Sequence, residues 1–247
     1  MKVSIIGKGN VGTHLHKALL QAGVKADLCS SRATELFPHA DIYIIAVKDD
    51  AIRDVVRSLA QHLASAAEMS IHPIVAHTSG SVTIDILAEL LPGNPVGVFY
   101  PLQTFTRNVE MTYSDIPFLI EGDSAGTYAI LSSLAAKVSA NVLEADSRTR
   151  GLYHIASVFA CNFTNRLFAL SSRFLKKNGL GFKTLLPLIR QTVAKLSDKS
   201  PEDAQTGPAA RGDMEIINSH LSKLADDEEL YSIYRILSDS ILHSRKN

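Results

Sequence analysis

The chain has 247 residues, of which 46% are hydrophobic and 20% are charged, so we expect a compact fold and not a disordered or fibrous one. Lysine plus arginine number 25, and aspartate plus glutamate also number 25, so no overall field attracts nucleic acid or an anionic membrane. We therefore expect a small-molecule substrate, with no nucleic-acid partner and no membrane partner. The two cysteines, Cys29 and Cys161, match no metal-ligand spacing, and we expect no metal.

The start of the chain bears on its location. It runs from Lys2 through a short strand pattern into a glycine loop, which leaves no room for the apolar segment of a signal peptide. The apolar run from Ile42 to Val47 is far shorter than the roughly 20 residues that cross a bilayer. We therefore expect a cytoplasmic protein.

Short β-branched runs alternate with helical stretches through residues 1–146, which is typical of a parallel sheet covered by helices on both faces. Several of these runs are apolar throughout, as burial on both faces requires. The predicted strands are Lys2–Ile6, Ala26–Cys29, Ile42–Val47, Ile74–His77, Val96–Phe99, Phe118–Glu121 and a short one at Asn141–Leu143. The predicted fold class is therefore α/β, with a doubly wound parallel Rossmann sheet over residues 1–146.

The strand pattern stops after Asp146, and residues 147–247 are predicted to form a smaller all-α domain for a substrate cleft and dimerisation. A long helix is predicted over Ser147–Lys177, and its apolar stripe is expected to be core. The stripe consists of Leu152, Ala156, Phe159, Phe163, Leu167, Leu170 and Phe174. A second helix around Phe182–Leu196 contains Pro187, which predicts a kink or a later start. The last helix is predicted to begin at Asp226 and to bury Leu230, Tyr234, Leu237 and Ile241.

Gly7, Gly9 and Gly12 form a G-x-G-x-x-G sequence between a predicted strand and a predicted helix. In such a loop the first glycine allows a tight turn, the second lets the backbone approach a pyrophosphate, and the third lets the helix pack close to the strand. This context predicts a dinucleotide site at the helix N-terminus, although a glycine turn that binds nothing is the alternative. The residues assigned to the cofactor here are Gly7, Lys8, Gly9, Asn10, Val11 and Gly12, joined by Val47 and Lys48 after the third strand.

The end of the second strand distinguishes NAD from NADP. Enzymes that use NAD place an Asp or Glu about 20 residues beyond the glycines, where it binds the ribose 2′-hydroxyl. This chain has Ser30, Ser31 and Arg32 there, and Asp27 comes too early to replace the acid. Two hydroxyls and a guanidinium can hold a 2′-phosphate, so we predict NADP as cofactor. The alternative is a solvated Arg32 at a helix start.

The glycine loop and four further segments together resemble one bacterial family across the whole chain. The segments are Val75–Ser81, Tyr100–Phe105, Tyr153–Ala156 with Asn162, and Thr206–Asp213. The family joins a Rossmann-like domain, similar to deazaflavin-dependent NADP reductases, to an all-α C-terminal domain of unknown function. The wider superfamily includes hydroxyacid and phosphogluconate dehydrogenases, ketopantoate reductase, prephenate dehydrogenase and pyrroline-carboxylate reductase. The resemblance implies the fold, NADP and a homodimer, but no particular reaction.

Two loops after predicted strands carry candidate substrate contacts, because ligands bind beyond the carboxyl ends of parallel strands. Thr78, Ser79 and Gly80 resemble the segment that holds substrate in hydroxyacid dehydrogenases, and Gln103 lies in the next loop. The alternative is that Ser79 or the nearby Ser81 caps a following helix.

Arg211 is a further candidate, since it follows a turn and could bind an anionic substrate. A surface or dimer contact with Asp213 is the competing explanation.

The long helix supplies the candidate catalytic residues, His154 and Asn162, on the side opposite its apolar stripe. Related dehydrogenases offer a Lys and an Asn on an equivalent helix, and His154 resembles a replacement for that Lys. An imidazole is a suitable proton donor near pH 7, although a hydrogen-bonded core histidine is the alternative. In the family motif a His stands at Tyr100. Because a phenol has a pKa near 10, we do not predict a catalytic role for Tyr100.

The sequence thus favours an NADP-dependent oxidoreductase that transfers a hydride to or from a small carboxylated carbonyl, hydroxy acid or imine. The alternative is a non-catalytic NADP(H)-binding redox sensor or scaffold protein. The apolar C-terminal helices, together with the resemblance, favour a homodimer.

Overall fold

The structure is a computed structural model that describes residues 1–32, 37–65 and 72–244. The strands in these ranges are β1 Lys2–Ile6, β2 Lys25–Cys29, β3 Ile42–Ile45, β4 Ile74–His77, β5 Val96–Pro101, β6 Phe118–Gly122 and β7 Val142–Glu144. They form one sheet in the order β2-β1-β3-β4-β5-β6-β7. The α/β fold class is confirmed, and each predicted strand is present with small shifts at its ends.

The direction of the last two strands departs from the predicted parallel sheet. Strands β1 to β5 are parallel, whereas β6 pairs antiparallel with β5, with Pro101 opposite Phe118, and β7 is parallel to β6. The reason is the connection over residues 102–117, which contains no crossover helix and so returns the chain at the edge where β5 ends. The sheet is therefore mostly parallel.

Helices cover both faces of the sheet. The helices within residues 1–162 are α1 Asn10–Gln21, α2 Asp49–Ser65, α3 Asp85–Leu90, α4 Ala125–Ala136 and α5 Ser147–Ser157. Neighbouring strand residues point to opposite faces, so Ile5 packs with α1 and α4, while Ile6 packs with α2 and α3. Burial on both faces explains why the central strands are apolar throughout.

Contacts divide the chain into two compact units, residues 1–162 and 163–247. Strands end at β7, close to the composition change after Asp146, whereas the division by contacts falls after Asn162 and leaves α5 in the first unit. The predicted boundary between residues 146 and 147 stays a prediction.

The second unit is helical. Its helices are α6 Thr164–Lys177, α7 Leu186–Ala194, α8 Pro208–Arg211, α9 Met214–Lys223 and α10 Glu228–Ser244. Pro187 lies in the first turn of α7, so of the two alternatives predicted from this proline, a kink or a later start, the structure shows the later start. Arg173 of α6 binds Glu229 at 2.8 Å and Asp227 at 3.2 Å, which ties α6 to the start of α10. No helix in the described parts of the chain combines the length and apolar character that crossing a bilayer requires.

The predicted long helix is not regular, and its apolar stripe is not a core. A π-helical turn, Val158–Phe163, separates α5 from α6. The exposed fractions of Leu152, Phe159 and Phe163 are 60%, 66% and 51%, whereas Leu170 is buried. The prediction for the last helix was also partly wrong, because Leu237 is 43% exposed. An apolar period shows which side of a helix favours burial, but not whether the same chain covers it.

Candidate functional site

The glycine loop joins β1 to α1, and two of its glycines are required by packing. Gly7 has a φ of +124°, and a Cβ placed on it would lie 2.2 Å from the carbonyl oxygen of Ala46. A Cβ on Gly12 would lie 1.9 Å from the carbonyl oxygen of Gly7. The Gly7 N–H donates to the carbonyl of Cys29 at 2.9 Å, which fixes the loop against β2. The loop therefore has the tight turn and the close helix packing expected of a dinucleotide site.

Gly9 is different, because neither backbone conformation nor packing requires a glycine there. Its φ of −77° is accessible to any residue, and a Cβ placed on it would meet nothing within 4 Å. Gly9 caps α1, whose first turn contains no acidic residue. Open space at a helix N-terminus suits an anionic phosphate, so the loop fits the pyrophosphate of a dinucleotide.

The loop lies at the point where the order of the strands reverses. The chain passes from β1 outward to β2 and then returns to the other side of β1 as β3. In open α/β sheets, ligands bind in the crevice at this point, beyond the carboxyl ends of the strands. Lys8, Arg32 and Lys48 follow β1, β2 and β3 there, and none of them pairs with a carboxylate among the described residues. These cations bring positive charge to the crevice, although Asp49 and Asp50 directly follow Lys48 and the net charge of the chain is zero.

The turn after β2 holds the predicted 2′-phosphate residues. The N–H of Arg32 donates to the hydroxyl of Ser30 at 3.2 Å, and the guanidinium is exposed. Asp27 pairs with Lys2, with 2.7 Å between its carboxylate and Nζ. This acid is therefore already engaged within the protein.

The loops after β3 and β4 are joined to each other. Thr78 donates to the carbonyl of Ile45 from both its N–H and its hydroxyl, at 3.1 and 3.3 Å. The hydroxyl of Ser81 donates to Asp49 at 2.5 Å, next to Lys48. These contacts hold the loop after β4, which carries the predicted substrate residues Thr78, Ser79 and Gly80, against the loop that carries Val47 and Lys48.

Ser79 is engaged within its own loop. Its hydroxyl accepts hydrogen bonds from the N–H groups of Ser81 and Val82, at 3.1 and 3.0 Å. Its N–H donates to Nδ1 of His77 at 3.1 Å, and the residue is buried. These bonds close a turn before α3, which begins at Asp85 with Ile84 as its N-cap and has no side-chain cap, so Ser79 does not cap that helix as the alternative supposed. Its role in holding substrate stays a prediction.

A tyrosine and a histidine from distant parts of the first unit meet on Gly80. The phenol oxygen of Tyr100, at the end of β5, lies 3.1 Å from Nδ1 of His154 in α5. A Cβ on Gly80 would lie 2.6 Å from that nitrogen and 2.9 Å from Cζ of Tyr100. Burial raises the pKa of the Tyr100 phenol, so this hydroxyl is neutral at pH 7 and can donate or accept a hydrogen bond.

A buried ion pair holds the loop that carries Gly80. Arg150 of α5 is fully buried and pairs with Glu121 of β6. Its guanidinium also donates to the carbonyls of Ser79 at 3.1 Å and Val82 at 2.6 Å. The loop that carries Gly80 is therefore fixed by hydrogen bonds from one arginine side chain to two main-chain carbonyls. Sequence reasoning missed this residue, because an arginine in the first turns of a helix has the pattern of a surface charge.

His77 is uncharged near neutral pH. Burial, followed by the nearby Arg150 charge, lowers the pKa of His77 from 6.5 to about 4. The neutral ring accepts the Ser79 N–H through Nδ1 and donates from Nε2 to the carbonyl of Thr83 at 3.4 Å. This histidine is a structural part of the loop.

The remaining predicted site residues lie elsewhere. The side chain of Gln103 is exposed, and its oxygen accepts the Thr104 N–H at 2.7 Å. Asn162 is exposed in the π-helical turn. Arg211 belongs to the second unit, where it lies 3.8 Å from Asp213, so the competing contact proposed for it is present.

The sheet order and the glycine loop define an α/β protein of the Rossmann type with a helical C-terminal region. The chain belongs to the family described as "Domain of unknown function (DUF2520)", whose model matches residues 116–241. A comparison with curated protein sequences finds no match.

Among solved structures, the chain is similar to BF3122 from Bacteroides fragilis, which is provisionally described as an NADP oxidoreductase. The two are 34% identical over 98% of each chain, with a TM-score of 0.87. Protein TM1727 from Thermotoga maritima is 20% identical, with 99% of this chain and 100% of that chain covered and a TM-score of 0.69. Plasmodium falciparum pyrroline carboxylate reductase, solved with NADP bound, is 14% identical over 98% of each chain, with a TM-score of 0.59. The last two likenesses show a common fold.

Proposed function

We propose that the protein is an NADP-dependent oxidoreductase that transfers a hydride to or from a small carboxylated carbonyl, hydroxy acid or imine. The observation that carries the proposal is the open space over Gly9 at the N-terminus of α1, in a Rossmann-type sheet. Arg32, after β2, is exposed and pairs with no carboxylate among residues 1–32, 37–65 and 72–244, which favours NADP over NAD. The description of the Bacteroides fragilis relative and the NADP in the Plasmodium falciparum reductase support the same cofactor.

The proton required by such a reaction is assigned to His154. When bound, NADPH supplies the hydride, which adds to the carbon of a C=O or C=N group. The oxygen or nitrogen of that group must then take a proton, which His154 can donate. If the charged ring gives up the proton on Nε2, Nδ1 keeps its own proton, so the Tyr100 hydroxyl can accept from Nδ1–H both before and after transfer.

Substrate binding is assigned to residues beside this pair. Thr78 and Gly80 lie in the loop on which the two rings rest, and we keep them as candidate substrate contacts. Ser79, Gln103 and Arg211 remain candidate substrate contacts, and Asn162 a candidate catalytic residue, from the sequence alone. A cytoplasmic location also stays a prediction.

The cofactor part of the proposal is tested by calorimetric titration with NADPH and NADH. Wild-type protein is expected to bind NADPH more tightly, and Arg32→Glu to weaken NADPH much more than NADH. Gly9→Ala should weaken both cofactors while leaving the thermal unfolding of the free protein unchanged, because its Cβ has room until a ligand arrives. Wild-type protein that binds neither cofactor would overturn the proposal.

The catalytic part is tested with a panel of keto acids, hydroxy acids and imines, followed at the nicotinamide absorbance. His154→Asn should abolish turnover without weakening NADPH binding. Tight NADPH binding with no turnover of any panel member, and no effect of His154→Asn, would favour the redox sensor or scaffold.

We also propose that a second copy of this chain covers apolar side chains of the second unit. Leu188 and Val193 of α7 are 65% and 62% exposed, and Leu180 and Leu196 are exposed beside them in sequence. Several large apolar side chains that are exposed within one short segment are typical of a surface that binds another protein chain. Sedimentation should show a dimer that Leu188→Asp weakens, whereas a wild-type monomer at micromolar concentration would refute the homodimer.

A further inference from the structure

The connection between β5 and β6, residues 102–117, is attached to α1 by side chains of that helix. The amide of Asn10 donates to the carbonyl of Phe105 at 3.0 Å. His14 donates from Nε2 to the carbonyl of Thr106 at 2.9 Å, and its Nδ1 accepts from the Tyr113 hydroxyl at 3.0 Å. The connection therefore lies across the N-terminal half of α1, next to the glycine loop.

A turn within this connection places Arg107 at the glycine loop. The N–H of Val109 donates to the carbonyl of Thr106 at 3.3 Å, and Asn108 has a φ of 64°, a left-handed conformation that Asn adopts more readily than most residues. Arg107 is the second residue of this turn, and its Nη2 donates to the carbonyl of Lys8 at 3.1 Å. Lys8 lies between Gly7 and Gly9, so the guanidinium lies beside the open space over Gly9.

Most of the N–H donors of Arg107 have no acceptor among the described residues. A guanidinium has five N–H donors, and within residues 1–32, 37–65 and 72–244 the Lys8 carbonyl is the one acceptor bonded to Arg107. The side chain is exposed and has no carboxylate partner in those ranges. An arginine held by one bond to a phosphate-binding loop can turn its remaining donors to an anion in that loop.

We propose that Arg107 is a further cofactor-binding residue, which binds the pyrophosphate of the dinucleotide and is held in place by the attachment of its turn to Asn10 and His14. This inference rests on the proposed function, because it requires a dinucleotide at the glycine loop. The pyrophosphate is the favoured group, since Arg107 contacts the loop beside Gly9, whereas the 2′-phosphate is assigned to the turn after β2. The main-chain N–H groups of the glycine loop offer only partial charges, and Arg107 adds a full charge beside them.

The test compares Arg107→Gln with Arg32→Gln in titrations with NADPH, NADH and 2′-AMP, which lacks the pyrophosphate. Arg107→Gln should weaken the binding of NADPH and of NADH by the same factor, about tenfold or more, and leave the binding of 2′-AMP unchanged. Arg32→Gln should weaken NADPH and 2′-AMP but not NADH. Arg107→Lys should bind both dinucleotides with intermediate affinity, because it keeps the charge and loses the planar fork.

Two outcomes separate this inference from the proposed function. If wild-type protein binds neither dinucleotide, the proposed function fails and the inference fails with it. If wild-type protein binds both and Arg107→Gln binds them equally well, the inference alone is overturned. A loss confined to NADPH would place Arg107 at the 2′-phosphate and overturn the pyrophosphate assignment. The melting temperature of the free Arg107→Gln protein should match wild type, because the side chain is exposed.

Discussion

Tyr100 and His154 are joined by a hydrogen bond of 3.1 Å and rest together on the backbone of Gly80. The tyrosine belongs to β5 and the histidine to α5, so the contact links the carboxyl edge of the sheet to the helix that follows β7. Arg150, one turn before His154 in the same helix, holds the loop that carries Gly80. One helix therefore supplies both the candidate proton donor and the support of the loop beneath it.

We expect Gly80→Ala to displace the two rings. The added Cβ would lie 2.6 Å from Nδ1 of His154, so the overpacked site should lose about 1–3 kcal/mol of unfolding free energy. Turnover should fall sharply, whereas NADPH binding should be retained because the glycine loop is untouched. Gly126→Ala in α4 is the matched control, since its Cβ has only Ser124 Oγ nearby, at 3.9 Å. Equal stability of both variants would contradict the close approach at Gly80.

A double-mutant cycle should detect the bond between the two rings. Tyr100→Phe removes the hydroxyl, and His154→Ala removes the imidazole that it contacts. We expect a coupling of about 0.5–1.5 kcal/mol in unfolding free energy, which is the range for a neutral hydrogen bond. Denaturant titration of the four proteins provides the values. Strict additivity would show that the contact makes no net contribution.

Removing Arg150 should be among the most destabilising single changes in the chain. Arg150→Met leaves Glu121 largely buried without its charge partner. It also removes the hydrogen bonds from the guanidinium to the carbonyls of Ser79 and Val82. We expect a loss of about 3–5 kcal/mol, and a smaller loss than the sum of the single changes when Glu121→Leu is added. Urea unfolding of the two single variants and the double variant measures this difference. A cost below about 1 kcal/mol for Arg150→Met would be incompatible with the burial of the pair.

Stability should depend on pH through His77. The folded protein lowers the pKa of this group from 6.5 to about 4, so between these values the unfolded chain binds more protons than the folded one. The contribution of His77 to the unfolding free energy is therefore fully present above pH 6.5 and is lost as the pH falls towards 4. At pH 5 the contribution of His77 is about 2 kcal/mol less than at pH 7.5.

His77→Asn is the variant that isolates this effect. Its side-chain oxygen can accept the Ser79 N–H as Nδ1 does, but it has no proton to gain. Chemical denaturation at pH 7.5 and pH 5 should show a smaller difference for the variant than for wild type. The same pH difference in both proteins would rule out His77 as its source.

The sequence by itself determined the features that depend on neighbouring residues. The strands were predictable because apolar β-branched runs are local, and the glycine loop was predictable because its spacing sets one turn and one helix start. Gly7 and Gly12 have the packing expected of them, and Gly9 has open space where its Cβ would lie. Pro187 likewise indicated that the predicted helix around Phe182–Leu196 has a kink or a later start, because its ring is excluded from a regular helix interior.

Only the tertiary structure decided which distant residues meet. Nothing in the local pattern linked Tyr100 to His154, Arg150 to Glu121 or Arg107 to Lys8, since each pair is joined by packing across elements that the sequence separates. The same limit explains the error over Leu152 and Phe159, where an apolar period indicated a helix face that the chain leaves exposed. Periodicity reports the conformation of a segment, whereas a contact depends on where every other segment lies.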